Sequence, residues 1–284
     1  MKKNMIKKFT LGIASVCALG LILCGCGKKS SDNSVQEVKD NKTLTIGTSA
    51  DFAPFEFPIV KNGKKEITGY DIMIAQKVAD KLGVKLKIVN TEFPSLISEL
   101  KNDKVDLVLS GMTKTAKREK VVDFSKPYYT VENVMLVQKK DADKYNKISD
   151  TKGKQIGAQQ STTQEDIIKK QMKGANLVTE SVTTSLATEL KNGKIDGLVL
   201  ENAIANNYVK QNPGKYAIAK VKLTTGKDIE SYSVAAKKGD KKLIKVVNKV
   251  IDKIQKDGTK CFKMLRTCKP STASNEEDLR CLTF

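Results

Sequence analysis

Leu100-Lys-Asn-Asp-Lys-Val-Asp-Leu-Val-Leu109 is echoed by Leu190-Lys-Asn-Gly-Lys-Ile-Asp-Gly-Leu-Val199. In each copy a helix-like ending runs into a polar turn, then Val/Ile-Asp, then a short apolar run suited to one buried strand. Two similar α/β halves, each with its own sheet, follow from that echo. Upstream of the first copy, Leu44-Thr-Ile-Gly47 reads as a strand, followed by a loop with Pro54 and Pro58. Ile72 to Leu82 carries Ala75, Val78, Ala79 and Leu82 on one helical face, and Gly83 supplies a stop. Lys85–Val89 alternates as a strand, Pro94–Asn102 reads as a helix, and Val105–Leu109 as a buried strand. Around the second copy the order restarts. Gln155–Ala158 is a strand, a helix begins near Thr162, a strand lies near Leu177, and a helix spans Leu186–Leu190. Ile195–Leu200 is a strand, followed by a helix from Glu201 to Lys210. Such alternation predicts parallel-type sheets with helices on their faces. Lys241–Asp257, with Leu243, Val247, Val250 and Ile254 in line, is a packing helix.

The 284 residues contain no His and no Trp. Without His there is no Ser-His-Asp triad, no His general base and no HExxH zinc site. Hydrophobic residues make up 39% of the chain, enough for a core but not for several membrane spans. The six Cys fall at the two ends: Cys17, Cys24 and Cys26 early, Cys261, Cys268 and Cys281 late, so no disulfide scaffold is built into the body. The formal net charge is +19, carried mostly by single Lys spread along the sequence rather than by clusters interleaved with aromatics. That pattern argues against nucleic acid and suits a surface near anionic lipid or wall polymer.

The start of the chain has the layout of an export signal. Met1–Lys8 is basic, and Leu11–Leu23 is apolar but shorter than the roughly 20 residues a spanning helix needs. Leu23-Cys24-Gly25-Cys26 resembles the lipobox of bacterial lipoproteins, with Cys26 the better lipidation site because small Gly25 precedes it. Residues 1–25 are thus expected to be a signal peptide, and 26–41 a lipidated Cys and flexible tether with almost no apolar residues. Removal of the leader takes four Lys and leaves +15.

Several blocks of the body occur in one order: Gly47-Thr-Ser-Ala-Asp-Phe-Ala-Pro-Phe-Glu-Phe57, Gly69-Tyr-Asp-Ile-Met-Ile-Ala75, Asp106 to Arg118, Val122-Asp-Phe-Ser-Lys-Pro-Tyr-Tyr129, Lys152 to Thr163 and Gly193 to Glu201. Together they resemble the polar amino-acid family of bacterial extracytoplasmic solute-binding proteins, the receptors of ABC importers, over residues 43 to 259. The resemblance implies an α/β, two-lobed clamshell, the type II periplasmic-binding-protein fold. Each lobe is then a mixed sheet flanked by helices, and two hinge strands fall near Tyr128–Glu132 and Asp228–Tyr232. The first lobe is expected from residues 42–130 plus 231–262, the second from 131–230, and an atypical C-terminal tail from 263–284. The implied partners are a free amino acid, an ABC permease and ATPase complex, and the membrane through the lipid anchor. The chain is expected to be a monomer at the outer face of the cytoplasmic membrane, with no cofactor, metal or nucleic acid.

A free amino acid offers a carboxylate, an ammonium and a side chain, so the cleft needs a matched set. A guanidinium fork meets a carboxylate with two parallel hydrogen bonds, and the resemblance gives that task to Arg118; in a charge-rich segment it also reads as a surface Arg. Ser161, Thr162 and Thr163 open a helix, whose free N–H groups suit a carboxylate, though the hydroxyls also read as simple caps; the family more often has Gly at 161. Glu201 ends a strand and suits the ammonium, or else the dipole of the helix it precedes; the family usually has Asp there. Ser110, Gly111, Met112 and Thr113 match the segment that binds both charged groups, Phe52 the covering aromatic, and Phe93 a second wall. Ser49 and Gln159 match positions facing the ligand side chain. Both are neutral, so they do not mark the ligand as cationic; Asp51 and Glu56 are the nearby acids able to supply charge, and the ligand side chain stays open. Two other classes compete with a receptor: an enzyme on the same fold, such as a prephenate-type dehydratase with Glu201 as its acid, and a surface sensor.

Overall fold

The echo that opens the sequence is a repeat of the folded chain. In a computed structural model, which describes residues 32–224 and 231–257, Asp106 and Asp196 perform the same task in different sheets. The Asp106 carboxylate accepts the Thr45 N–H at 2.7 Å, and the Asp196 carboxylate accepts the Gln155 N–H at 2.8 Å. The polar turns before them use left-handed backbone at Asp103 and Gly193.

The first lobe contains α1 (Ser34–Asp40), β1 (Thr43–Thr48), β2 (Phe57–Lys61), β3 (Lys64–Thr68), α2 (Tyr70–Leu82), β4 (Lys85–Asn90), α3 (Leu96–Lys101), β5 (Leu107–Val108), α4 (Ala116–Glu119) and β6 (Val122–Phe124). The chain crosses on β7 (Tyr129–Thr130) into β8 (Asn133–Gln138), β9 (Gln155–Gln159), α5 (Thr163–Gln171), β10 (Asn176–Glu180), α6 (Thr183–Lys191), β11 (Gly197–Glu201), α7 (Asn202–Gln211) and β12 (Tyr216–Ile218). It returns on β13 (Ser231–Tyr232) to β14 (Ala235–Lys237) and α8 (Lys241–Lys256).

The two sheets have matching orders, β4-β1-β5-β14-β6 and β10-β9-β11-β8-β12. In each, the first three strands are parallel, as the βαβ alternation predicts, and the fourth, β14 or β8, runs antiparallel to both its neighbours. The antiparallel members were not visible as alternation because β14 and β8 enter their sheets directly from the crossing segments. Those crossings, β7 and β13, pair antiparallel through Thr130 with Ser231 and Tyr129 with Tyr232, the hinge the resemblance implies. Aromatic rings pack the hinge: Phe55 stands edge-on to Tyr129 and Tyr232 at 4.9 and 5.0 Å between centroids.

Two expectations are corrected. Residues 32–41 are not tether: α1 buries Val38 and Ser34, and its entry caps α8. Asp32 accepts the Lys242 N–H at 2.5 Å and Ser34 Oγ the Leu243 N–H at 3.3 Å, which supplies first-turn partners that the α8 N-cap residue Asp240 does not. Seven residues become helix here because Val38 lands in the core, not because their own propensity favours it. The segment with Pro54 and Pro58 is likewise not all loop. Pro58 lies opposite Ile67 in the two-stranded β2–β3 ribbon, separate from the main sheets, and both strands of such a ribbon are edges, where Pro is tolerated. The leader, Cys26, residues 27–31, Asp228 of the second crossing and all residues after Asp257, including Cys261, Cys268 and Cys281, lie outside the described residues. Among the described residues no helix is long and apolar enough to cross a membrane.

Candidate functional site

Because both sheets run their parallel strands toward the gap between lobes, four strand ends converge there. Ser49 follows β1, Ser110 follows the β5 strand, Gln159 ends β9 and Glu201 ends β11. The carboxyl ends of parallel strands are where open α/β sheets bind ligands. The cleft is lined from the first lobe by Ser49, Asp51, Phe52, Glu56, Phe93 and Ser110, with Gly111, Thr113 and Arg118 beside them. From the second come Gln159, Thr162, Thr163, Gln164, Thr183 and the β11 run Leu198 to Glu201.

Arg118 sits on α4, a single turn whose N-cap Thr115 accepts the Arg118 N–H. Its guanidinium is buried, lies 5.3 Å from the Phe93 ring centre, and donates to two carbonyls: Thr113 O at 2.6 Å and, across the gap, Ser161 O at 2.9 Å. This is a cation held in place by backbone and ring rather than a mobile surface Arg.

Thr162 caps α5 by accepting the Glu165 N–H, so the cap reading and a lining position hold together. Ser161 itself does not line the cleft. Its backbone is left-handed, at φ +65°, which explains why Gly suits the position; it contributes its carbonyl to Arg118 and its N–H to Glu165. Met112 is also turned away. It does not line the cleft; its side chain is buried in a cluster with Phe93, Leu96 and Val122, and its carbonyl accepts the Ser233 N–H. The other residues proposed from sequence reach the cleft. Phe52 packs against Gly111, where an added Cβ would come within 2.8 Å of its ring.

Sequence reasoning missed Gln164 and Thr183. Gln164 is buried and donates to Asn133 at 2.6 Å, a contact between a helix start and a strand that no local pattern announces. Asp51 and Glu56, named only as sources of charge, both line the cleft. Asp51 accepts the Ser49 hydroxyl at 3.1 Å and the Thr183 N–H at 2.5 Å, and burial raises its pKa.

Glu56 is wholly buried. It accepts the Ser110 hydroxyl at 3.0 Å, and Ser110 Oγ in turn accepts the Ser49 N–H at 3.0 Å. Behind it Asp71 accepts the Gly111 N–H at 2.9 Å and the Tyr128 hydroxyl at 2.7 Å. Burial, and then the neighbouring Asp71 charge, push Glu56 well above its ordinary value; burial pushes Asp71 up to about 7. One oxygen of each, Glu56 Oε2 and Asp71 Oδ1, is buried without a hydrogen-bond partner, an arrangement one shared proton satisfies. Gly69 makes it possible. At φ +131° it lets the start of α2 press on the Phe55 carbonyl, and a Cβ there would lie 2.1 Å from that oxygen.

Glu201 is buried at the end of β11, and its side chain makes no capping bond to α7. It lines the cleft, so a solute there can reach it.

Fold and cleft together define a two-lobed solute-binding protein of the type II periplasmic-binding architecture. The chain belongs to the bacterial extracellular solute-binding proteins, family 3, whose model matches residues 44–260. It is 34% identical over 256 residues to the arginine-binding extracellular protein ArtP of Bacillus subtilis, covering 89% of this chain and 94% of the other. It is also 34% identical to a probable histidine-binding protein of Campylobacter jejuni, over 89% of this chain and 95% of that protein. A solved amino acid ABC transporter substrate-binding protein of Streptococcus pneumoniae, bound to L-arginine, shares 36% identity with a TM-score of 0.79, covering 82% of this chain and 96% of that one.

Proposed function

We propose that this chain is the receptor of an ABC importer for a cationic amino acid, arginine first, held outside the cytoplasmic membrane by lipid on Cys26. The carrying observation is the charge of the lining. Two acids, Glu56 and Glu201, face one cation, Arg118, while the carboxylate of Asp51 is taken up by Ser49 and Thr183. A neutral zwitterion leaves that set negative, whereas a ligand of net charge +1 moves it toward balance. In this reading Arg118 and the N–H groups at the start of α5 take the carboxylate, Glu201 the α-ammonium, and Glu56 with Ser110 the distal cation, under Phe52. Two relatives support it by name, one called arginine-binding and one bound to L-arginine. Ligand bridging the lobes favours the closed form by its differential affinity, and the permease recognises that form. Glu56 and Glu201 are accounted for by ligand charges and Asp51 by its bonds to Ser49 and Thr183, so no catalytic acid is invoked. The lipobox-like Leu23–Cys26 supports the anchor.

Calorimetry of the processed protein against the twenty amino acids tests the reading. Arginine is expected to bind most tightly, and Glu56→Gln to lose arginine by about tenfold or more while affecting citrulline little. Tightest binding of glutamine or cystine would replace it. Fractionation of cells expressing Cys26→Ala is the second arm: release into the soluble fraction is expected, and retention at the membrane refutes the anchor.

A further inference from the structure

The start of α6 lacks a cap of its own. Val182 stands at its N-cap and has no side-chain acceptor, so the first-turn N–H groups need partners from elsewhere. One of them, the Thr183 N–H, is taken by the Asp51 carboxylate at 2.5 Å. Asp51 follows β1 in the first lobe, whereas α6 belongs to the second, so the partner comes from across the cleft. We infer that Asp51 is a latch, a helix cap supplied from the opposite lobe that exists only when the lobes are closed, and that it sets how readily the receptor closes rather than which solute it holds. The geometry separates Asp51 from Glu56 on this point. Both Asp51 oxygens are engaged by the protein, Oδ1 by the Ser49 hydroxyl and Oδ2 by Thr183 of the other lobe, whereas Glu56 is tied to its own lobe through Ser110 and Asp71. Ser49 thereby gains a role, orienting the latch from its own lobe.

When the lobes part, Asp51 loses the N–H and regains water, and α6 is left with water at its first turn. The closed form is stabilised by the difference, which for a helix cap corresponds to about tenfold in a closing equilibrium. Because apparent affinity scales with the population of the binding-competent state, that factor applies equally to every solute the cleft accepts. The inference rests on the reading of the cleft as a closing amino-acid site, and one arm of its test needs no ligand.

In that arm, spin labels on exposed positions of the two lobes, Lys101 and Lys191, report the distance distribution without solute. Asp51→Ala is expected to deplete the closed population about tenfold, and Asp51→Asn to retain most of it, because an amide oxygen caps as well as a carboxylate. In the second arm, affinities for arginine and for its neutral isostere citrulline are measured on both variants. The latch predicts equal losses for the two solutes in Asp51→Ala, mainly through faster release, with recovery in Asp51→Asn. A loss confined to arginine, or Asp51→Asn as damaging as Asp51→Ala, assigns the carboxylate to the ligand and overturns the latch. An unchanged distance distribution overturns it whether or not any amino acid binds. A failure of both solutes to bind the unaltered protein refutes the ligand reading alone.

Discussion

Glu201 and Arg118 approach the cleft from different lobes, and each is fixed by something other than a ligand. Arg118 is braced by two carbonyls and a ring, and Glu201 by its place at the end of a fully buried strand. Preset charges cost little further ordering when solute arrives. If Glu201 meets the α-ammonium, Glu201→Gln should weaken arginine at least about tenfold and leave 5-guanidinopentanoate, which lacks that ammonium, nearly unaffected. Equal weakening of the two in titration calorimetry would detach Glu201 from the ammonium. Residue types with one dominant chemistry were legible in the sequence: a guanidinium, a strand-end acid, a hydroxyl-rich helix start. Met112 and Ser161 were not, because what they contribute is a carbonyl, and any residue type provides one. Asp51 was legible as a charge but not as a cap, since its partner lies 132 positions away in the chain.

At the scale of elements, α1 is the clearest departure. A run of Asp, Asn, Ser, Gln, Glu and Lys has the composition of a linker, yet Val38 is only 1% exposed and Asp32 holds the first turn of α8. Hydrogen bonds from Ser34 and the Lys242 N–H keep Asp32 below its ordinary pKa against the effect of burial. The described body therefore starts at Asp32, and α1 is part of the first lobe. Val38→Ala should destabilise the protein by about 2 kcal/mol in urea unfolding, with arginine affinity unchanged. No change in the unfolding midpoint would return α1 to the tether. The helices with a strong apolar stripe, α2 and α8, and the fully buried strand β11 were readable because burial leaves its period in the sequence. α1 carries only two valines, and the two-residue hinge strands are too short to show any period, so those elements exist through their tertiary partners.

The whole molecule links the cleft to pH through the carboxyl pair Glu56 and Asp71. Burial acts on both, and the neighbouring Asp71 charge also raises Glu56, with Asp51 and Glu201 adding to it more weakly. Ser110, the Gly111 N–H and Tyr128 oppose the rise by donating to the pair. Asp71 has a folded value of about 7 against 3.8 when unfolded, so between these values the folded chain binds more protons than the unfolded one. The stability contributed by the pair is therefore present in acid and is lost as pH rises through about 7. Solute-free protein should melt several degrees higher at pH 5 than at pH 8 relative to Asp71→Asn, which keeps acceptors for Gly111 and Tyr128 but cannot titrate. Arginine reverses the preference, because a guanidinium beside Glu56 favours the ionised pair. At pH 7 arginine binding should release close to one proton, seen as a calorimetric enthalpy that changes linearly with the ionisation enthalpy of the buffer. Glu56→Gln should abolish that slope, and citrulline should show none in the unaltered protein. A slope for citrulline equal to that for arginine would mean that closure itself, not the distal cation, expels the proton, and the carboxyl pair would then sense lobe position rather than ligand charge.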